Sequence, residues 1–250
     1  MEILRGIEIR GKGLWIKKHK ILVIGDLHIG YEEALAKQGV SVPAFMFREL
    51  KKELVELVEE TRPKKIIING DLKHEFGDIS TQEWRETTEI LEFLEKNCEE
   101  VILIKGNHDK ILEPIAKKMN MKIVNSYYIE ESQKEGPFGL SIKSIGLVHG
   151  DRISTDPKIM GTEVLIIGHE HPAITLREGG KQEKYKCFLV GKWKHQKLIV
   201  LPSFMPLIEG TDVNNEKLLS PYLHQDIGNF DVYIVGDKVY KFGKLKHVSD

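Results

Sequence analysis

Cysteine is scarce: the chain of 250 residues has two, Cys98 and Cys187. They stand alone in the sequence and match no zinc or disulfide spacing, which argues against a cysteine-built metal site and against a disulfide-stapled secreted scaffold. A reducing compartment is the simpler setting, with both thiols as small buried apolar groups. Net charge is almost absent as well. With 37 basic and 38 acidic residues the formal charge is -1, so nothing pulls the whole molecule toward nucleic acid or membrane, and any basic surface must be local. No apolar run is long enough for a membrane span or a signal peptide, and the amino terminus alternates charge with Ile from Met1. A soluble, cytoplasmic protein is expected. The glycine-rich loops form no nucleotide-binding fingerprint and imply no organic cofactor. Low-complexity segments and linkers are also missing, so residues 1–250 are expected to form a single α/β domain with two packed sheets.

What the chain does have is one pattern used five times. An apolar run ends in or near Gly and passes directly into Asp, Asn or His, the signature of a buried strand that stops in a tight exposed loop. Leu22 to Gly25 leads into Asp26 and His28, and Ile66 to Gly70 leads into Asp71 and His74. Val101 to Ile104 leads through Lys105 and Gly106 into Asn107, His108 and Asp109. Ile145 to Val148 leads into His149, and Val164 to Gly168 leads into His169 and His171.

Around these runs, residues 3 to 24 alternate apolar and polar positions and predict a hairpin feeding the first buried strand. Helical spacing predicts one helix from about Tyr31 to Glu60, stopped by Pro63, and another from Thr81 to Asn97. Strand, helix, strand, helix, strand is a parallel unit, and ligands lie outside the carboxyl ends of such strands. A shorter helix is predicted from Ile111 to Met119, strands near Lys122 to Ile129 and Leu140 to Val148, and a turn at Gly136-Pro137. The second half is β-rich.

Carboxylate oxygen and imidazole nitrogen without thiolate suit Mn, Fe or Zn, whereas an all-oxygen set would have indicated Mg or Ca. The candidates are Asp26, His28, Asp71, His74, Asn107, His108, His149, His169 and His171, too many for one tetrahedral ion. Seven ligands with Asp71 shared divide between two ions about 3.5–4 Å apart, the spacing at which a metal pair holds an attacking hydroxide and clamps phosphate oxygens. His108 follows the candidate ligand Asn107 and stands beside the centre without having to bind it. A protonated imidazole there can donate to a leaving oxygen, with Asp109 to orient it or raise its pKa. His74, between Lys73 and Glu75, reads equally as a site residue or as a surface histidine. Six of the ten histidines fall in these five loops, which scattered surface histidines would not do.

These residues resemble the calcineurin-like metallophosphoesterase superfamily, whose successive motifs look like Asp26-Leu27-His28, Gly70-Asp71, Gly106-Asn107-His108-Asp109, His149 and Gly168-His169-Glu170-His171, in the same order. The resemblance implies Asp26, His28 and His171 on one metal, Asn107, His149 and His169 on the other, Asp71 as the bridge, and His108 beside the leaving group. It also implies two mixed β-sheets flanked by helices, a four-layer sandwich, with two divalent ions, Mn first and Fe or Zn as alternatives. Protein phosphatases of the superfamily usually follow the bridging Asp with an Asp-Arg pair. Here Asp71-Leu72-Lys73-His74 stands instead, as in the nuclease and phosphodiesterase branch. Segments Leu201 to Leu207 and Gly210 to Asn214 look similar to small prokaryotic phosphoesterases related to the SbcD repair nucleases, although no room is expected for the separate DNA-capping domain of the full-length enzymes.

A phosphodiester of a nucleotide or nucleic acid is therefore the expected substrate, and Arg152 is the candidate phosphate contact, although it could equally pair with Asp151. The alternatives are a small-molecule phosphomonoesterase and a non-catalytic metal-binding scaffold of the same fold. Lys181, Lys184, Lys186, Lys192, Lys194 and Lys197, interleaved with Tyr185 and Trp193, could hold a phosphate backbone or simply keep a hairpin edge from pairing.

Overall fold

The structure is a computed structural model that describes residues 1–40, 45–74, 80–109, 112–119, 121–130 and 142–248. The first sheet runs in chain order through β1 (Glu2–Leu4), β2 (Ile7–Arg10), β3 (Gly13–Ile16), β4 (Ile21–Ile24), β5 (Lys65–Asn69), β6 (Glu100–Ile104) and β7 (Lys122–Val124). β1 to β4 form an antiparallel meander, longer than the expected hairpin, and β4 to β7 are parallel.

Helices supply the parallel connections. The single helix expected from Tyr31 is two, α1 (Tyr31–Lys37) and α2 (Met46–Thr61); α1 stops where the Gly39 amide bonds back to Ala36 and Gly39 turns to positive φ. At the far end of α2, Arg62 takes a left-handed cap and bonds back to Val58 before Pro63, which cannot continue the helix. α3 (Thr81–Asn97) has the expected bounds, and its N-cap Ser80 Oγ accepts from the Glu83 amide at 2.9 Å. α4 (Glu113–Lys118) is shorter than expected, and Ile111 lies outside the described residues.

At Asn125 the chain leaves the first sheet for the second, so the strands expected near 122–129 belong to different sheets. The second sheet comprises β8 (Ser126–Glu130), β9 (Ser144–Val148), β10 (Val164–Ile167), β11 (Pro172–Glu178), β12 (Lys181–Trp193), β13 (Gln196–Val200), β14 (Thr211–Asp212), β15 (Asp231–Val235) and β16 (Val239–Lys244), with α5 (Pro157–Met160) between β9 and β10. Its order is β14-β11-β12-β13-β10-β9-β8, with β15 and β16 branching from β12. β9, β10 and β13 are parallel and the remaining long pairs antiparallel. The turn expected at Gly136-Pro137 lies outside the described residues.

Two mixed sheets thus pack face to face, with α2 and α3 outside the first and the short α5 outside the second, the expected fold class. The apolar runs explain the layering, because side chains alternate between the two faces of a strand. In β4 and β5, Val23 and Ile67 point between the sheets, where they meet Leu147, Ile166 and Ile199. Their neighbours Leu22, Ile24, Ile66 and Ile68 point outward onto Leu50, Leu54, Leu57 and Val58 of α2 and Ile90, Leu91 and Leu94 of α3. On the second sheet Leu165 and Ile167 turn outward onto Ile159, Tyr222 and Leu223. No helix among the described residues is long and apolar enough to cross a membrane.

Candidate metal centre

The carboxyl ends of β4, β5 and β6 in one sheet and of β9 and β10 in the other converge. Beyond the strands the first two loops keep pairing: Asp26 N donates to Gly70 O at 3.1 Å and His28 N to Asp71 O at 2.9 Å. Asp71 lies at the middle of the group. Its Oδ1 accepts from His108 N at 2.9 Å, while its Oδ2 is 3.3 Å from His149 Nε2, 3.8 Å from His28 Nε2 and 4.0 Å from His108 Nε2. On one side of Asp71, Asn107 Oδ1 is 3.0 Å from His149 Nε2. On the other, His171 Nε2 is 3.3 Å from both Asp26 Oδ1 and His28 Nε2. His169 joins through its amide, which donates to Asp26 Oδ2 at 3.1 Å.

Three groups of side chains could each hold a metal ion: Asp26 with His28 and His171, Asp71 with His149 and His169, and His28 with His74 and His108. Donor atoms about 3 Å apart are the edges of a coordination polyhedron whose bonds are about 2.0–2.2 Å, so the donor set fits a divalent ion by chemistry and by spacing.

The backbone supports the same conclusion. Asp26, His28, Asp71, His169 and His171 all have positive φ, from 43° to 66°. A left-handed residue with a side chain costs about 1–2 kcal/mol, and such strain persists where the surroundings over-determine it, typically at functional sites. Glycines allow the crowding. A Cβ on Gly70 would lie 2.0 Å from His149 Nδ1, and one on Gly106 would lie 2.1 Å from Asp71 Oδ1.

The electrostatics favour a cation. Burial opposes charge on Asp71, but His149 and His28 overcome it and hold the carboxyl below its usual range. Burial likewise opposes the His149 imidazolium, yet the carboxylates of Asp71 and Asp26 raise its pKa to about 9. A metal at His149 Nε2 would meet the same demand for positive charge as that proton. Burial, joined by His171 for His28 and by His149 for His169, lowers the pKa of both rings, which favours the neutral form that ligates metals.

Other sequence candidates sit around this core. The His108 ring packs on His74 with centroids 5.2 Å apart and an interplanar angle of 29°, and its Nδ1 faces the His74 carbonyl. His74 Nδ1 is 3.4 Å from His28 Nδ1, and Tyr31 stands 4.7 Å from the His74 ring. Asp109 lies between the β5 and β6 loops. Its buried carboxylate accepts from the amides of Gly106 at 3.0 Å and of Leu72 and Lys73 at 3.4 Å, tying the β5 and β6 loops together. Burial, reinforced by Asp71, raises its pKa to about 6. Arg152 is exposed on the loop after β9, where it lines a cavity of about 560 Å³ together with His149 and Lys105.

The lysine-rich segment is not one patch. Lys184 pairs with Glu216 at 2.8 Å, Lys186 turns inward onto the carbonyls of Ser203 and Met205, and Lys194 lies over the Trp193 ring.

Sequence reasoning missed several supports. Glu170, between the two histidines of the β10 loop, is buried, and its Oε2 accepts from the amides of Leu219 and Ser220 at 2.8 and 2.7 Å. Its position in the Gly168 to His171 string was the available signal. Glu83 Oε1 accepts from the His74 amide at 3.0 Å, and Ser203 Oγ donates to Asp26 O at 2.8 Å. The second spans 177 residues, and no local pattern reveals either.

Residues 19–240 match the family described as calcineurin-like phosphoesterase. Among solved structures, the nuclease MPE of Pseudomonas putida is similar over 92% of this chain and 92% of its own, with 20% sequence identity and a TM-score of 0.62. Yfce, a phosphoesterase from E. coli, matches over 92% of this chain and 94% of its own at 14% identity and a TM-score of 0.40. No curated protein matches the chain.

Proposed function

The chain belongs to the calcineurin-like phosphoesterase family, and from that premise we propose that it is a dinuclear metal-dependent phosphodiesterase acting on nucleotide or nucleic-acid phosphodiesters. The observation that carries this reading is the convergence of carboxylate, amide and imidazole donors from five strand ends around Asp71. Asp26, His28 and His171 would hold one ion, Asn107, His149 and His169 the other, with Asp71 between them. Bound there, a pair of Mn ions, or of Fe or Zn, would polarise the phosphoryl oxygens and lower the pKa of water.

The protein's own groups do the rest. His108 turns its Nδ1 toward the His74 carbonyl, leaving Nε2 to donate a proton to the departing oxygen. Stacked on His108, His74 fixes that ring and closes the wall beside His28. Asp109 keeps the two loops in register. A diester carries a second substituent on phosphorus, and the cavity beside His149 offers it space, with Arg152 and Lys105 for negative charge and Asp151 as the counterweight. The nuclease named among the structural neighbours supports the nucleic-acid end of this range.

The test is a rate comparison with added Mn between bis(4-nitrophenyl) phosphate and 4-nitrophenyl phosphate, with Asp71→Ala as control. Faster diester turnover that needs Mn and is lost in the variant supports the proposal. A monoester rate well above the diester rate would make the protein a phosphomonoesterase, and no turnover of either substrate with metal bound would make it a scaffold.

A further inference from the structure

Lys186, on β12, is a half-buried cation to which hydrolysis gives no role. Its Nζ donates to Ser203 O at 2.9 Å and also to Met205 O. The Ser203–Met205 loop in turn grips the first ligand loop. Ser203 Oγ donates to Asp26 O at 2.8 Å, Phe204 N to Gly25 O at 3.0 Å and Met205 N to Asp26 O at 3.4 Å. Lys12, reaching from the turn between β2 and β3, donates to Phe204 O at 3.3 Å.

Asp26 occupies a left-handed conformation, φ 55°, without being glycine, and such a residue keeps its shape only if its carbonyl and neighbours are pinned. The chain of contacts runs from Lys186 to the carbonyls of Ser203 and Met205, and from that loop to the Asp26 carbonyl. Burial, reinforced by Lys12, drives the Lys186 ammonium well below its ordinary pKa. Withdrawing an ammonium from water costs free energy, which its hydrogen bonds to the two carbonyls offset.

We propose that Lys186 is a positioning residue for the metal centre: through the Ser203–Met205 loop it holds Asp26 in the conformation that aims its carboxylate at His171. The inference rests on the reading of Asp26 as a metal ligand.

The test uses the full-length protein, Lys186→Met and Ser203→Ala, with Mn affinity from titration calorimetry and the melting temperature of each metal-free form. Lys186→Met is expected to bind Mn about tenfold more weakly, the scale of lost second-layer support at metal sites, a loss larger than any change in its metal-free stability accounts for. Ser203→Ala is expected to weaken Mn as well, and the double variant to fall short of the sum because both act through one loop. Wild-type Mn affinity in both variants overturns the proposal, as does a loss of affinity that merely tracks a loss of metal-free stability. Should Lys186→Met not fold, Ser203→Ala decides by its Mn affinity alone. Absence of Mn binding by the wild type would overturn the reading of the site itself, and this inference with it, whereas tight wild-type binding left unchanged in the variants overturns only the inference.

Discussion

The Nε2 atoms of His28 and His171 face each other at 3.3 Å, and His171 Nε2 is equally far from Asp26 Oδ1. Nitrogen atoms bonded to one ion at about 2.0–2.1 Å lie about 2.8–3.0 Å apart in octahedral and about 3.3–3.4 Å apart in tetrahedral geometry. Metal binding and stability should therefore be linked. A ligand at a hundred times its dissociation constant stabilises by about 2.7 kcal/mol, and in a chain of this length each kcal/mol moves the melting temperature by about 2–4 °C. Adding Mn at that excess is expected to raise the melting temperature by about 5–10 °C, and chelation to reverse it. Thermal melts across a Mn titration check this, and an unmoved melting temperature would contradict it.

Gly70 tests the crowding. With φ 85° and only 2.0 Å from a built Cβ to His149 Nδ1, the position excludes alanine twice, by backbone conformation and by contact. Gly70→Ala is expected to lose at least about 1 kcal/mol from the φ effect alone and, because the ring of His149 must move, to bind Mn far more weakly. Metal content after dialysis and a denaturant titration measure the two effects separately.

Such crowding also explains what the sequence could and could not reveal. Strand ends were legible because a buried parallel strand must be apolar throughout, so Ile66-Ile67-Ile68 stopping at Asn69-Gly70-Asp71 marks both the strand and its end. The division of the helix at Gly39 was hidden, because isolated glycines also occur within helices. So was the crossing between sheets at Asn125, where β-propensity continues unbroken while the partner strand changes. Nothing local says which way a loop carboxylate turns; that of Asp109 accepts from the amides of Leu72 and Lys73, 37 and 36 residues away. The bond from Ser203 to Asp26 spans 177 residues, and only the packed sheets bring its ends together.

Glu86 on α3 gives a pH-dependent outcome away from the metal centre. Burial raises its carboxyl pKa, Gln82 partly offsets this, and Glu32 adds to the rise. A folded pKa above the unfolded value means that the folded state holds its proton to higher pH. Its contribution is then fully present below the unfolded pKa and is lost as pH rises through the folded one. Glu86→Gln, which keeps the acceptor for Gln82, is expected to melt above the wild type at pH 7 and level with it near pH 4. A variant that melts lower at both pH values would show that the carboxylate is adequately solvated where it stands.

His108 can be separated from its neighbours by the leaving group. If it donates the proton, its removal costs most where the departing oxygen is most basic. His108→Ala is expected to lower the turnover of a dinucleotide by about 10²–10⁴, the range for a lost general acid. For a nucleoside 4-nitrophenyl phosphate the loss should be much smaller, because nitrophenolate departs without protonation. Mn content should stay at the wild-type level, since His108 lies outside the proposed ligand set and meets Asp71 chiefly through its amide, 2.9 Å from Oδ1, which alanine retains. Rates on the two substrates with metal analysis of the same preparation decide the matter. Equal losses on both would assign His108 to holding the phosphate, because only proton donation depends on how poor the leaving group is.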